Sequence, residues 1–232
     1  MEMYWWILLI IGVVISCIAQ IKVSTTFSKY SKAMSASGMN ASELARRILN
    51  VAGLQHINII SAHGYMGDYY DNKRQVIALS QGVKDSSSIS ALGVMAHEVG
   101  HALQYRDGYL PIKLRNIVGT VTNVMSKLYW PMLLIGIIFD LFWFTGAGYG
   151  TTILYIALAM FLATTVFSLV TLPVEFNASR RALSLLRETG ALSDEELPKA
   201  REVLTAAGLT YVASFVVSAI NLLRIIMLLR RD

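Results

Sequence analysis

Four long apolar stretches constrain this chain more than any other feature. A membrane-spanning helix needs about 20 predominantly apolar residues, and segments at about 3–19, 129–144, 151–172 and 209–229 approach or reach that length. The first, MYWWILLIIGVVISCIA, has no basic residues ahead of it and runs into QIK without a small-x-small cleavage pattern, so it reads as an uncleaved anchor. The second contains Pro131 and Asp140, and its helix is expected to begin earlier, near Ile117. The third is the cleanest. The fourth carries Asn221 and Arg224, which puts its last turns at the interface or against protein; an interfacial or bundle-facing role is expected for Asp140 and Arg224 alike. Only 15% of residues are charged and mean hydropathy is +0.53, whereas a soluble domain carries about a quarter charged residues.

The formal charge of +5 is spread among loops between apolar runs, so no phosphate-binding patch, and hence no nucleic-acid partner, is expected. A single cysteine, Cys17, excludes an intrachain disulfide. The polar regions, about 22–116 and 173–207, are each too small for a core of their own. The expectation is one membrane-embedded domain over 1–232, of α+β class: a mainly helical integral membrane protein with a small β-sheet.

In the first polar region, Asn40 followed by Glu43 predicts a capped helix over about 41–52, ended by Gly53. HINIISA (56–62) and QVIALS (75–80) are short and β-branched with turn residues between them, which predicts a hairpin or small sheet. Serines 86–88 offer an N-cap for a helix running to about Tyr105, with Gly108 and Pro111 as stop signals.

That helix holds VMAHEVGHALQY. At 100° per residue, Ile89, Leu92, Ala96, Val99 and Leu103 share one stripe, while Ser90, Gly93, His97, His101 and Gln104 share a nearly opposite one. Two imidazoles one turn apart can grip a single ion, and His-Glu-x-x-His on a helix is the zinc-protease signature, making this a zincin-like active-site helix. With four His and eight Glu in 232 residues, a random match has an expected count of about 0.002. Catalytic Zn²⁺ takes three protein ligands and keeps one position for water, whose pKa it lowers to about 7. Glu98, next to the first histidine, is placed to act as general base.

The residues leave the third ligand open. His56 and His63 are candidates at a strand start and in a turn. Glu175, in LPVEFNASRRALSLL, returns to the same side of the membrane after two spans and opens a helix with Ala178, Ala182, Leu183 and Leu186 inward. A glutamate at a helix N-terminus can equally be there for the macrodipole.

Beyond the active helix, ASELARRIL, GDYYDNKRQVIALSQGV, AHEVGHALQY, LPVEFNASRRAL and AAGLTYVAS are spread over nearly the whole chain. Together they resemble the bacterial membrane neutral zinc metallopeptidase family, the YugP-like peptidases. This family is similar in layout to integral-membrane proteases that cleave prenylated or misfolded proteins. The resemblance implies one catalytic Zn²⁺ held by His97, His101 and Glu175, Glu98 as base, and a polypeptide substrate that is membrane-associated or misfolded. It also implies that an edge strand, here Gln75–Ser80, pairs with extended substrate. The more distant relatives carry an aspartate four residues after the ligand glutamate; here that position is Ser179, with Asn177 as the candidate substitute for supporting a ligand histidine. His63, Tyr69, Arg180 and Tyr211 are the candidates for stabilising an oxyanion.

Eleven Lys and Arg residues lie in 22–116 and five in 173–207, with none in TGAGYG between the second and third spans. The positive-inside rule therefore puts both polar regions on the cytoplasmic side of the cell membrane, although it conflicts with RRD at 230–232 if all four segments span. The functional expectation is a zinc-dependent membrane endopeptidase. The alternative is a zinc-stabilised scaffold or adaptor without turnover, which would have no use for Glu98 and would fill all four zinc positions with protein. A transporter built on Asp140 and Arg224 lacks an inverted repeat.

Overall fold

The computed structural model describes residues 2–62, 67–139 and 149–229, with side chains described from residue 6 to 227 within those ranges. Among these, His63 and Asp140 are not included. In chain order the elements are α1 (Glu2–Tyr30), α2 (Ala41–Val51), β1 (Asn58–Ser61), β2 (Tyr69–Asp71), β3 (Val76–Leu79), α3 (Gln81–Lys84), α4 (Ile89–Arg106), α5 (Leu110–Ile138), α6 (Tyr149–Glu188) and α7 (Leu197–Leu229). The chain is thus mainly helical with a small sheet. Residues cluster into two compact units, one of 1–18, 111–173 and 211–232, the other of 19–110 and 174–210.

The first unit is apolar. Among the described residues, α1, α5, α6 and α7 are long and apolar enough to cross a membrane, and large side chains such as Trp6, Ile10, Ile117 and Trp130 are exposed. That many outward apolar residues suit lipid rather than water. Helices in lipid gain little from burying apolar surface, so they associate through close packing and polar links. Thr165 and Ser218 share a hydrogen bond of 2.7 Å between α6 and α7, and Gly136 on α5 fits against Leu154 of α6, where a Cβ would come within 2.8 Å. Arg224 donates to Asn221 Oδ1 at 3.1 Å within α7.

The second unit has a conventional core of Leu44, Leu49, Ile77, Leu79, Leu92, Met95, Val99 and Leu186. The expected local signals operate here. Asn40 accepts from the Glu43 N–H at 2.9 Å, Gly53 adopts φ +73° after α2, and Ser88 accepts from the Ala91 N–H at 3.3 Å. Asn40 and Ser88 satisfy N–H groups that the first helical turn leaves unpaired.

Of the hairpin or small sheet expected, the chain forms the small sheet: the two expected strands pair in parallel, with Asn58 opposite Val76 and Ser61 opposite Leu79. Three expectations need correction. An unanticipated third strand, β2, forms the antiparallel pair with β3 and leaves the sheet order β1-β3-β2. The chain between the parallel strands carries it, because parallel neighbours need a crossover. The strand within Gln75–Ser80 is therefore central, paired on both sides, and is not an edge available to substrate. Helix α5 begins at Leu110 rather than near Ile117, with Pro111 in its first turn, where the missing N–H costs nothing. Finally, Glu175 does not open a helix: α6 continues from Tyr149 to Glu188 through Pro173. A proline inside a helix is tolerated where neighbouring groups satisfy the freed carbonyl.

Candidate metal centre

Helix α4 runs through the middle of the second unit and is buried on nearly all sides, including Ser90, Gly93 and Gln104 on the stripe expected to be less apolar. Burial on both faces fixes its rotation. His97 and His101 consequently point the same way, with ring centroids 4.7 Å apart and rings nearly perpendicular. Glu175, 2% exposed, faces them from α6: its Oε2 lies 3.2 Å from His97 Nε2 and 3.6 Å from His101 Nε2.

One donor atom from each of His97, His101 and Glu175 lies within 4.8 Å of the others. Tetrahedral ligands at about 2.0–2.1 Å from zinc stand roughly 3.3–3.4 Å apart, so the two carboxylate–imidazole spacings are compatible with donors around one ion. The donor set also fits. Two neutral imidazoles and a carboxylate make a site with three protein ligands and one open position. The loss of the helix-N-terminus alternative strengthens this: in mid-helix, no macrodipole rewards a buried glutamate.

Each imidazole is held from behind. With Nε2 toward Glu175, His97 Nδ1 faces Ser179 Oγ at 3.2 Å, and His101 Nδ1 faces Gln104 Oε1 at 3.0 Å. Ser179 thus contacts His97 from the position where the distant relatives carry aspartate. Asn177, the expected substitute, instead accepts from Gln104 Nε2 and Arg181 Nε, both at 2.9 Å.

Glu98 is 8% exposed on the adjacent face of α4. Burial pushes its carboxyl above the ordinary range, assisted by the Glu175 and Asp68 carboxylates and opposed by the two histidines. For His101 burial works downward, but the hydrogen bond and charge of Glu175, with Glu98 and Gln104, outweigh it, and the imidazole of the metal-free chain titrates above its usual range.

Residues 5–230 match the family described as "Putative neutral zinc metallopeptidase". This chain belongs to that family. It is 40% identical over 211 residues to the "Putative membrane protease YugP" of Bacillus subtilis (strain 168), an alignment covering 90% of this chain and 89% of that protein. No solved structure matches.

In this zinc metallopeptidase family member, the remaining sequence candidates are not members of the His97, His101 and Glu175 cluster found among the described residues. His56 is exposed and hydrogen-bonds Gln75 at 3.0 Å. Tyr69 is an exposed residue of β2, Arg180 is exposed on α6, and Tyr211 falls in the apolar unit. His63 lies outside the described residues. Two contributors have no role assigned from sequence. Gln104, three residues after His101, lies on the same helical stripe, which was the available signal. Asp68 had none, since only the folded chain brings it near Glu98; it accepts from the Ser80 N–H at 2.6 Å. Ser179 had a positional signal, standing where the distant relatives carry aspartate, and the contact with His97 comes from it rather than from Asn177.

Proposed function

We propose that this chain is a zinc-dependent endopeptidase of the bacterial cytoplasmic membrane, in which His97, His101 and Glu175 hold one catalytic zinc ion and Glu98 is the general base. The observation that supports this most is the convergence of those three donor atoms beside a buried glutamate. When bound, zinc supplies a Lewis acid that acidifies water and polarises a carbonyl.

The chain's own residues supply the rest. Glu98 takes the proton of the attacking water and returns it to the departing amine, so no covalent intermediate is needed. Gln104 Oε1 accepts at His101 Nδ1 and so favours the tautomer that presents Nε2, while Ser179 Oγ contacts His97 Nδ1 and steadies that ring. The charge bias of the polar segments, with sixteen of the twenty Lys and Arg residues, favours a cytoplasmic site. A site on that side of an integral membrane protein suits polypeptides that are membrane-associated or misfolded.

The test is to purify the chain in detergent, measure zinc per protein and compare casein hydrolysis by the parent and Glu98→Gln. The variant should keep its zinc and lose at least about two to three orders of magnitude in rate. Equal rates would overturn the mechanism.

A further inference from the structure

Gln104 is fully buried and uses three hydrogen bonds. Its Nε2 donates to the Val174 carbonyl at 2.8 Å and to Asn177 Oδ1 at 2.9 Å. A main-chain carbonyl can only accept, so the amide orientation is settled and Oε1 must face His101 Nδ1, 3.0 Å away. The orientation of Asn177 is settled in turn, because its Oδ1 also accepts from Arg181 Nε, and Arg181 Nη1 pairs with Asp107 one residue beyond α4. Val174 immediately precedes Glu175. One side chain therefore holds the imidazole of one donor residue and the main chain beside another.

We propose that Gln104 is a positioning residue of the metal centre: its buried amide fixes the His101 tautomer and clamps α4 to α6 at the height of Glu175. This rests on the reading of His97, His101 and Glu175 as zinc ligands. An acceptor at Nδ1 leaves Nε2 unprotonated, which is the form a metal requires, and raises its basicity. The two donated bonds keep the acceptor aimed, since a freely rotating amide could present its NH₂ group to the imidazole instead.

The experiment measures zinc affinity by competition with a chromophoric chelator and records the visible spectrum of the cobalt-substituted protein, which reports donor geometry independently of turnover. Gln104→Met keeps length and bulk but removes all three bonds. It should lower zinc affinity by about 10- to 100-fold and shift the cobalt bands. Gln104→Glu retains an acceptor toward His101 but loses both donated bonds and sets an oxygen against the Val174 carbonyl and Asn177 Oδ1, so it too should shift the cobalt bands; a parental spectrum there would overturn the clamping half of the proposal. Parental affinity and spectrum in Gln104→Met would overturn the proposal. His101→Ala separates the two levels: if it too binds zinc like the parent, the ligand assignment itself fails, whereas zinc loss in His101→Ala alone confines the failure to Gln104. Should Gln104→Met not fold, Asn177→Ala removes one bond to the amide and should still cost about 2- to 10-fold in zinc affinity; no change there would likewise overturn the proposal.

Discussion

A Cβ placed on Gly100 would stand 2.7 Å from the carbonyl oxygen of Ala178. The helices bearing the histidines and Glu175 thus touch through bare backbone, one residue before His101 and three after Glu175. Glycine is needed here for closeness, not for an unusual dihedral.

Gly100→Ala should consequently lower zinc affinity by at least about tenfold, because carbonyl and Cβ cannot share that space and the donors must separate. Helix propensity alone would favour alanine by about 1 kcal/mol. A zinc titration paired with thermal unfolding of the metal-free variant decides which effect wins; raised stability with parental zinc affinity would show that α6 can yield.

Glu175→Ala should lose most bound zinc after dialysis, while Ser179→Ala should keep stoichiometric zinc and weaken binding by about 2- to 10-fold, the worth of one supporting hydrogen bond. Metal analysis of the two variants side by side checks the distinction between a donor and a support.

The pH dependence should reverse between metal-free and zinc-loaded protein. The His101 pKa is raised in the metal-free fold, so the native state binds its proton more tightly than the unfolded chain. This contribution to stability is complete below the unfolded pKa of about 6.5 and disappears as pH rises through the folded value. Zinc needs the neutral imidazole, so acid removes the metal and the stability it brings. Thermal melts in chelator should show this histidine stabilising at lower pH, and melts in excess zinc should show the opposite slope across the same range.

Leu44→Ala should cost about 2–5 kcal/mol of stability, since Leu44 is fully buried in the core of the second unit. Below the melting transition it should leave zinc stoichiometry at the parental value. Metal loss at temperatures where circular dichroism still reports a folded chain would show that this core cluster sets the donor spacing.

Much of the architecture was legible locally. The apolar runs, the Asn40 and Ser88 caps and the left-handed Gly53 each depend on neighbours within a few residues, so the chain carries them in plain order. Spacing also put His97 and His101 on one face with Glu98 beside them, because four residues on a helix make just over one turn. Glu175 was different: the fold brings it beside both histidines, but the expected helix start did not materialise, since Pro173 could be read only as a breaker without its surroundings.

Sequence by itself determined that the chain enters lipid and that two imidazoles share a helical face, because hydropathy and periodicity are properties of consecutive residues. Tertiary structure alone decided that β3 is central, that Ser179 and Gln104 stand behind the histidines, and that Glu175 meets both rings. Those outcomes depend on strand order and on how closely α4 and α6 approach. Such long-range relations are set by which surfaces pack best, and no local spacing encodes them.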